Sequence, residues 1–277
     1  MNEDAISSKP MLDVAIGGFG AIGQEIAAKL DRGEPGLRLV AVSARDHGRA
    51  EGNMAAFETK VPVLPLGELA DQADVVIECA PAAVFREIAE PSLSKGRIFL
   101  PLSVGGLLAH EDLIELAGRS GGRIVVPTGA LLGLDAVRAA AEGEIVSVTM
   151  VTRKPPGGLA GAPYLEENGI DVTSLNAPLK VFEGSAREGA KGFPANVNVA
   201  AALSLAGIGP DKTRLEIWAD PEVMRNTHRI KVESDSARFE MTIENIPSSV
   251  NARTGKITAL SALSALKGLT STLKVGS

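Results

Sequence analysis

The sequence predicts an α/β fold: a Rossmann-type doubly wound parallel sheet, followed by a second α/β (α+β) domain with a mostly antiparallel sheet. Two patterns carry this prediction: short apolar strands alternate with helices up to residue 127, and that rhythm changes afterwards. The composition agrees, because hydrophobic residues make up 45% of the chain and aromatic residues only 3%. A core of Ala, Val, Leu and Ile is typical of a parallel sheet covered by helices.

The first element is a strand at 12–16 that runs into glycines and continues with helical spacing from 21 to 30. Gly18, Gly20 and Gly23 fit G-x-G-x-x-G, the turn in which a dinucleotide pyrophosphate rests on a helix N-terminus. A purely structural turn can carry the same letters, but a turn at the carboxyl end of the first strand favours a dinucleotide site. The residues predicted to bind the cofactor here are Gly18, Gly20, Ala21, Ile22 and Gly23.

The remainder of the first 127 residues repeats the strand and helix pattern. We predict further strands at 37–43, 61–64, 74–79, 97–102 and 123–126, and helices at 66–72, 82–94 and 110–119. Six strands in this order predict a doubly wound sheet. The predicted domains are a dinucleotide-binding domain at 11–127, a substrate and catalytic domain at 128–250, and a C-terminal helix at 251–277 that returns to the first domain or to the interdomain seam.

The second half is less regular. Its predicted helices begin near 134 and span 194–206 and 255–269, and its predicted strands are 146–154, 214–218, 228–233 and 238–244. The Gly/Pro-rich stretch at 157–178 has too little apolar periodicity to assign, and its length suits a mobile lid.

The end of the second strand bears on the type of cofactor. NAD-binding sheets place Asp or Glu there, whereas a 2′-phosphate needs a cation in place of the acid. Ser43 and Arg45 occupy these positions and Asp46 follows one place later. We therefore expect NAD or NADP as cofactor, with NADP accepted and favoured by Arg45. The alternative is that Arg45 is an ordinary solvated loop charge.

Cys79 and Ala80 end a later strand of the predicted sheet and are assigned to the cofactor crevice. No His or cation lies near Cys79 in the sequence to lower its pKa, so a small buried hydrophobe is favoured over a thiol nucleophile.

Charge and cysteine content exclude several classes of protein. The formal net charge is -6 and the basic residues are scattered, so nucleic acid is not an expected partner. A single cysteine excludes an intramolecular disulfide and a Cys-rich zinc site, and no metal is expected. The opening residues lack a signal-peptide pattern and no run of about 20 apolar residues follows, so we expect a cytoplasmic protein without membrane contact.

Few residues can perform acid/base chemistry near neutral pH. His47 and His110 are predicted to face solvent, whereas His228 begins an apolar strand, where a lone histidine is usually structural. Asn196 and Asn198 interrupt an apolar helix. A buried carboxamide without a partner costs about 1 to 3 kcal/mol, so each should be hydrogen-bonded to backbone, water or a ligand.

The chain resembles the L-aspartate dehydrogenase family over nearly its whole length. The motifs are the glycine turn, VPTGALLGLDAV (126–137), TRKPP (152–156), FPANVNVAAALSLAG (193–207), DPEVMRNTH (220–228) and SSVNARTGKITALSA from 248. The resemblance implies a Rossmann domain with an α/β substrate domain in a homodimer. It also implies that His228 is the catalytic acid/base and that Ala130 and Asn198 contact the cofactor near its nicotinamide end.

The reaction that this resemblance implies is reversible NAD(P)-dependent oxidative deamination of L-aspartate to iminoaspartate and then oxaloacetate and ammonia, with NAD biosynthesis as one use. A histidine base predicts activity that rises with pH through an apparent pKa near or above about 6.5. The candidates for binding the substrate carboxylates, which the sequence does not rank, are Arg153, Lys154, Arg225 and the N-terminus of the helix at 194. The alternatives are a reductase like dihydrodipicolinate reductase, a homoserine-dehydrogenase-like enzyme, and a non-catalytic NADPH sensor.

Overall fold

The computed structural model describes residues 11–194, 197–248 and 255–276. The strands are β1 (Leu12–Gly17), β2 (Leu37–Ser43), β3 (Val75–Glu78), β4 (Ile98–Pro101), β5 (Arg123–Ile124), β6 (Ile145–Lys154), β7 (Leu179–Ser185), β8 (Arg214–Ala219), β9 (Asn226–Ser234) and β10 (Arg238–Asn245). The α-helices are α1 (Ala21–Asp31), α2 (His47–Asn53), α3 (Leu69–Gln72), α4 (Phe85–Ser94), α5 (Gly105–Ala109), α6 (Asp112–Ser120), α7 (Leu134–Ala141), α8 (Pro163–Glu167), α9 (Ala186–Gly192), α10 (Asn198–Ala206) and α11 (Ile257–Thr270).

The described residues form two compact units. Unit 1 contains the residues up to Pro101 together with Asp112–Val125 and Ala262–Val275, and unit 2 contains Leu102–Glu111 and the residues from Val126 to Ser261. Neither unit is continuous in sequence, because 102–111 belong to unit 2 although residues on both sides belong to unit 1. The described part of the chain has no helix long and apolar enough to span a bilayer.

Unit 1 is built on a parallel five-stranded sheet in the order β2-β1-β3-β4-β5. Val14, Ala15 and Ile16 of its central strand β1 are fully buried, as a sheet covered on both faces requires. The predicted Rossmann-type fold class is thereby confirmed.

The predicted strand at 61–64 is wrong. Val63 forms only an isolated bridge with Val42. The flanking residues Pro62 and Pro65 have no N–H to donate to a ladder, so pairing cannot extend along this segment.

Unit 2 is built on a mixed sheet in the order β10-β9-β6-β8-β7. All its strand pairs are antiparallel except β6 with β8. The sequence analysis missed the edge strand β7, which has no clean alternation because its register shifts between Lys180 and Phe182. It also missed α9, whose N-terminus is closed by a capping box between Ser185 and Glu188.

Two further predictions for unit 2 need adjustment. The apolar helix begins at Asn198 rather than at 194, while Asn196 lies outside the described residues. The stretch at 157–178 contains the short helix α8, and its apolar residues Leu159, Leu165 and Val172 are buried. Much of this stretch is therefore packed structure rather than a bare loop.

Candidate active site

The three glycines of the unit 1 turn differ in what a side chain would meet. Gly18 has φ +106°, and a Cβ there would lie 2.6 Å from the carbonyl carbon of Cys79. A Cβ on Gly23 would lie 2.2 Å from the carbonyl oxygen of Gly18, so the turn and helix α1 could not pack as closely. A Cβ on Gly20 would meet no atom within 4 Å, which leaves open space in front of that residue.

This open space lies at the N-terminus of α1. Gly20 is the N-cap, no side chain caps the helix, and its first turn carries no acidic residue. The first-turn N–H groups, including those of Ala21 and Ile22, thus remain open to an anion, which the helix dipole also favours. The cradle that a Cβ on Gly20 would fill fits the pyrophosphate of a dinucleotide.

The end of β2 differs from an NAD-type acidic terminus. Ser43 is buried, and its carbonyl oxygen accepts a hydrogen bond of 3.1 Å from the backbone N–H of Gly18. Arg45 is exposed beyond the strand. Asp46 caps α2 by accepting a hydrogen bond of 2.9 Å from the Arg49 N–H. The acid that follows Arg45 is therefore engaged in capping a helix.

Cys79 and Ala80 follow a carboxylate that the sequence analysis did not single out. Glu78 at the end of β3 is fully buried, and its Oε1 accepts a hydrogen bond of 2.8 Å from the Ala80 N–H. Burial raises the pKa of the Cys79 thiol well above its ordinary value, and the negative charge of Glu78 acts in the same direction. The thiol is therefore protonated, which agrees with a packing role rather than a nucleophilic one.

The inner face of the unit 2 sheet carries a polar cluster at the carboxyl end of β6. Along this strand Val148, Met150, Thr152 and Lys154 are buried, with half-exposed residues between them. His228 of β9 pairs directly with Thr152 and is also buried. Three polar side chains therefore occupy the end of a face that is otherwise apolar.

His228 is held by Thr152 and electrostatically coupled to Lys154. Its Nδ1 lies 3.1 Å from the Oγ1 of Thr152, and the ring is only 3% exposed. Burial, and secondarily the positive charge of Lys154, lowers the pKa of His228 to about 3. The imidazole is consequently neutral throughout the physiological range. This pKa lies below the apparent pKa, near or above about 6.5, that is expected from the sequence.

The cations that the sequence offers for binding the substrate carboxylates lie in different environments. Lys154 is 6% exposed on the same face as His228, and burial lowers its pKa to about 8. Arg153 lies on the opposite face, where its Nη1 bonds Asp220 at 2.8 Å and its guanidinium stacks 4.7 Å from the Trp218 ring centroid. Arg225 is exposed before β9. The N-terminus of the helix at 194 adjoins residues outside the described part of the chain.

Ala130 and Asn198 have defined partners within unit 2. The Oδ1 of Asn198 accepts a hydrogen bond of 3.1 Å from the Gly105 N–H, so one side of this carboxamide anchors a neighbouring loop. The carbonyl oxygen of Ala130 accepts a hydrogen bond of 3.0 Å from the Nδ2 of Asn245. Asn245 is buried, and its Oδ1 has no hydrogen-bond partner among the described residues. The sequence analysis missed Asn245, although a carboxamide that ends an alternating strand was a visible signal.

A dinucleotide cradle on a parallel sheet, with a second unit that buries a neutral histidine beside a lysine, defines the class of pyridine-nucleotide-dependent oxidoreductases. The chain matches a family model for the NAD-binding domain of homoserine dehydrogenase over residues 18–127 and one for the aspartate dehydrogenase C-terminal domain over residues 135–269. The chain belongs to the L-aspartate dehydrogenase family.

Relatives and solved structures support this membership. The chain is 56% identical to an L-aspartate dehydrogenase of Bradyrhizobium diazoefficiens over 100% of its own length and 97% of the relative. It is 42% identical to one of Methanocella arvoryzae, over 96% of this chain and 100% of that relative. A crystal structure of aspartate dehydrogenase from Thermotoga maritima matches with a TM-score of 0.73 at 25% identity, covering 96% of this chain and 99% of the other.

Proposed function

We propose that this protein catalyses the reversible NAD(P)-dependent oxidative deamination of L-aspartate. The α-carbon loses a hydride and the nitrogen a proton to give iminoaspartate, and water then adds to the C=N bond and ammonia leaves to give oxaloacetate. The observation that carries the proposal is the buried, neutral His228 in a chain that belongs to this family.

Unit 1 would hold the cofactor through the glycine turn. The bound nicotinamide supplies the hydride acceptor. The open space at Gly20 and the first-turn N–H groups of α1 would take the pyrophosphate. We propose that NADP is accepted, with the exposed Arg45 near the 2′-phosphate and Ser43, Cys79 and Ala80 as further cofactor-binding positions.

His228 would act as the acid/base. Because its Nδ1 faces the hydroxyl of Thr152, Nε2 is the ring nitrogen left to face the substrate. A neutral imidazole can accept a proton from the substrate amino group or from the attacking water and return it later. General base catalysis contributes about 10²- to 10⁴-fold in rate when the pKa of the base lies near the working pH, so the proposed role requires that the negatively charged substrate raise the pKa of His228 from about 3 on binding.

Ala130 and Asn198 are proposed to contact the cofactor near its nicotinamide end. For Asn198 the contact would use Nδ2, because Oδ1 already accepts the Gly105 N–H. For Ala130 the support is the bond from Asn245, which fixes the position of its carbonyl group.

The remaining features proposed for this enzyme are a homodimer, a cytoplasmic location and a supply of iminoaspartate to pyridine-nucleotide biosynthesis. Their support is the family resemblance and, for the location, the single cysteine.

The test is a panel of amino acids and oxo acids assayed by NAD(P)H absorbance with both cofactors. We expect cofactor reduction with L-aspartate, and cofactor oxidation with oxaloacetate only when ammonia is present. Turnover of homoserine or of a dihydrodipicolinate instead of aspartate contradicts the proposal. Cofactor binding without turnover of any acid in the panel indicates a sensor.

A further inference from the structure

The side chain of Asn245 carries a hydrogen-bond acceptor that the described part of the fold does not satisfy. Asn245 ends β10 and is 4% exposed. Its Nδ2 donates a hydrogen bond of 3.0 Å to the carbonyl oxygen of Ala130, whereas its Oδ1 has no hydrogen-bond partner among the described residues. A buried acceptor without a donor destabilises a fold, so this oxygen calls for an explanation.

The partner of Nδ2 fixes which end of the carboxamide is unsatisfied. A backbone carbonyl oxygen only accepts hydrogen bonds, so the amide nitrogen of Asn245 has to face Ala130. Exchanging the oxygen and the nitrogen of the carboxamide would place two acceptors against each other. Oδ1 is therefore the atom that lacks a partner in the described ranges, and only a donor group can satisfy it.

Asn245 lies on the same face of the unit 2 sheet as His228. Across β9 and β10, His228 pairs with Ile243 and Asn226 pairs with Asn245. Side chains two positions apart along a strand point to the same face, so Asn245 is the diagonal neighbour of His228. Diagonal neighbours of this kind are about 7 to 8 Å apart, a distance that one small ligand can bridge.

We propose that the Oδ1 of Asn245 accepts a hydrogen bond from an amino group of a bound ligand, and that this group is the α-amino group of the substrate. The inference rests on the proposed function, which brings an amino acid to His228. L-Aspartate has one donor group, its α-amino group, because its two carboxylates only accept. The carboxamide of the nicotinamide ring has the same chemistry and is the other possible source.

Burial does not separate Asn245 from the proposed reaction. His228 is 3% exposed and Asn245 is 4% exposed, and the two are neighbours. A rearrangement that admits the substrate to the ring thus also admits it to the carboxamide. There Oδ1 holds the nitrogen that loses its proton to His228, and the carbonyl dipole favours the positive charge that develops on this nitrogen as the hydride leaves.

The test compares pairs of ligands that differ by one amino group. L-Aspartate and succinate carry the same two carboxylates, and either can be titrated into NADPH-loaded enzyme without turnover, because the reduced cofactor accepts no hydride. NADP⁺ and its 3-acetylpyridine analogue form the second pair, since a methyl ketone replaces the carboxamide in the analogue. Isothermal titration of the full-length enzyme gives the four Kd values.

Asn245→Leu keeps a similar volume and removes both hydrogen-bonding atoms. We expect it to weaken the binding of L-aspartate about 3- to 10-fold relative to succinate, and to leave the Kd ratio of the two dinucleotides unchanged. Loss of the bond to Ala130 affects both members of a pair and cancels in each ratio. Asn245→Ala serves should the Leu variant not fold. Glu244→Gln alters the exposed neighbour on the opposite face and should leave both ratios at their wild-type values.

The outcomes separate a ligand contact from a structural role. A change in the dinucleotide ratio instead of the substrate ratio identifies nicotinamide as the donor and overturns the assignment to the substrate. If both ratios stay unchanged while the Tm falls, Asn245 is structural and the inference is wrong, but a wild type that oxidises L-aspartate leaves the proposed function standing. If the wild type neither oxidises nor binds L-aspartate, the proposed function and the assignment to its amino group are both wrong.

Discussion

The Oγ1 of Thr152 lies 3.1 Å from the Nδ1 of His228, and the two residues are direct partners across β6 and β9. Because both side chains are buried on the same face of the sheet, the imidazole ring has a fixed orientation. This contact engages Nδ1, so Nε2 is the ring nitrogen that the proposed acid/base would use.

Thr152→Val keeps the shape of the side chain but removes the hydroxyl group. A hydrogen bond contributes about 0.5 to 1.5 kcal/mol, so misorientation of His228 should lower kcat up to about tenfold. The KM for cofactor should not change. Steady-state kinetics check this, with Thr152→Ser as the matched control that restores the hydroxyl and most of the kcat. Equal activity of the Val and Ser variants means that the contact does not orient the catalytic ring.

His228→Asn replaces the imidazole by a hydrogen-bonding group that does not titrate. We expect kcat for L-aspartate to fall by about 10²- to 10⁴-fold while the Kd for NADPH, measured by fluorescence, stays within a few-fold of wild type. His228→Ala should behave similarly. Near-normal kcat in the Asn variant is the result that removes His228 from the mechanism.

Lys154→Met should change how stability depends on pH. The folded-state pKa of Lys154 is about 8, below the ordinary lysine value of 10.5, so between these values the unfolded chain binds more protons. The free energy of unfolding of the wild type therefore rises with pH between 8 and 10.5. Below pH 8 the buried charge lowers it by about 3 kcal/mol.

The Met variant lacks this contribution. Its free energy of unfolding, relative to that of the wild type, should be highest below pH 8 and should decline toward pH 10.5. The other titrating groups cancel in this difference, so it reports Lys154 alone. Urea unfolding at pH 7, 8, 9 and 10 measures it. A difference that stays flat with pH shows that Lys154 titrates normally in the folded protein.

Arg45→Asp should reverse the preference between cofactors. The exposed Arg45 follows β2 where NAD-binding sheets place an acid, so the wild type should use NADP at least as well as NAD by kcat/KM. An aspartate there would repel the 2′-phosphate and accept the ribose hydroxyls. Arg45→Ala is the control for loss of charge alone. A wild type that strongly prefers NAD, with an unchanged ratio in the Ala variant, contradicts the role of Arg45.

Two variants of Asn198 separate its two hydrogen-bonding atoms. Asn198→Asp keeps an acceptor for the Gly105 N–H but loses the Nδ2 donor, whereas Asn198→Ala loses both. We expect both to raise the KM for cofactor and only the Ala variant to lower the Tm. The measurements are kinetics with varied cofactor and a thermal melt. An Asp variant with wild-type KM for cofactor shows that Nδ2 does not bind it, and that Asn198 acts only as a loop anchor.

Local features of this protein were readable from the sequence. The spacing of Gly18, Gly20 and Gly23 after an apolar strand predicts the cradle, because the positive φ of Gly18 and the close approach of Gly23 to the Gly18 carbonyl oxygen arise within one turn of chain. The fold class also follows from local periodicity. The motif at 220–228 singled out His228, whereas its neutral state depends on burial, which a local sequence pattern does not predict.

Other features depend on contacts between distant segments. Arg153 and Lys154 are adjacent in sequence, and alternation places them on opposite faces, but only packing decides which face is buried. The partnership of Asn245 with Ala130 joins residues more than a hundred positions apart. The edge strand β7 is set by its pairing with β8. The sequence by itself thus determined the glycine cradle and the order of elements. The tertiary structure decided which polar side chains are buried together, because desolvation is a property of the packed sheet.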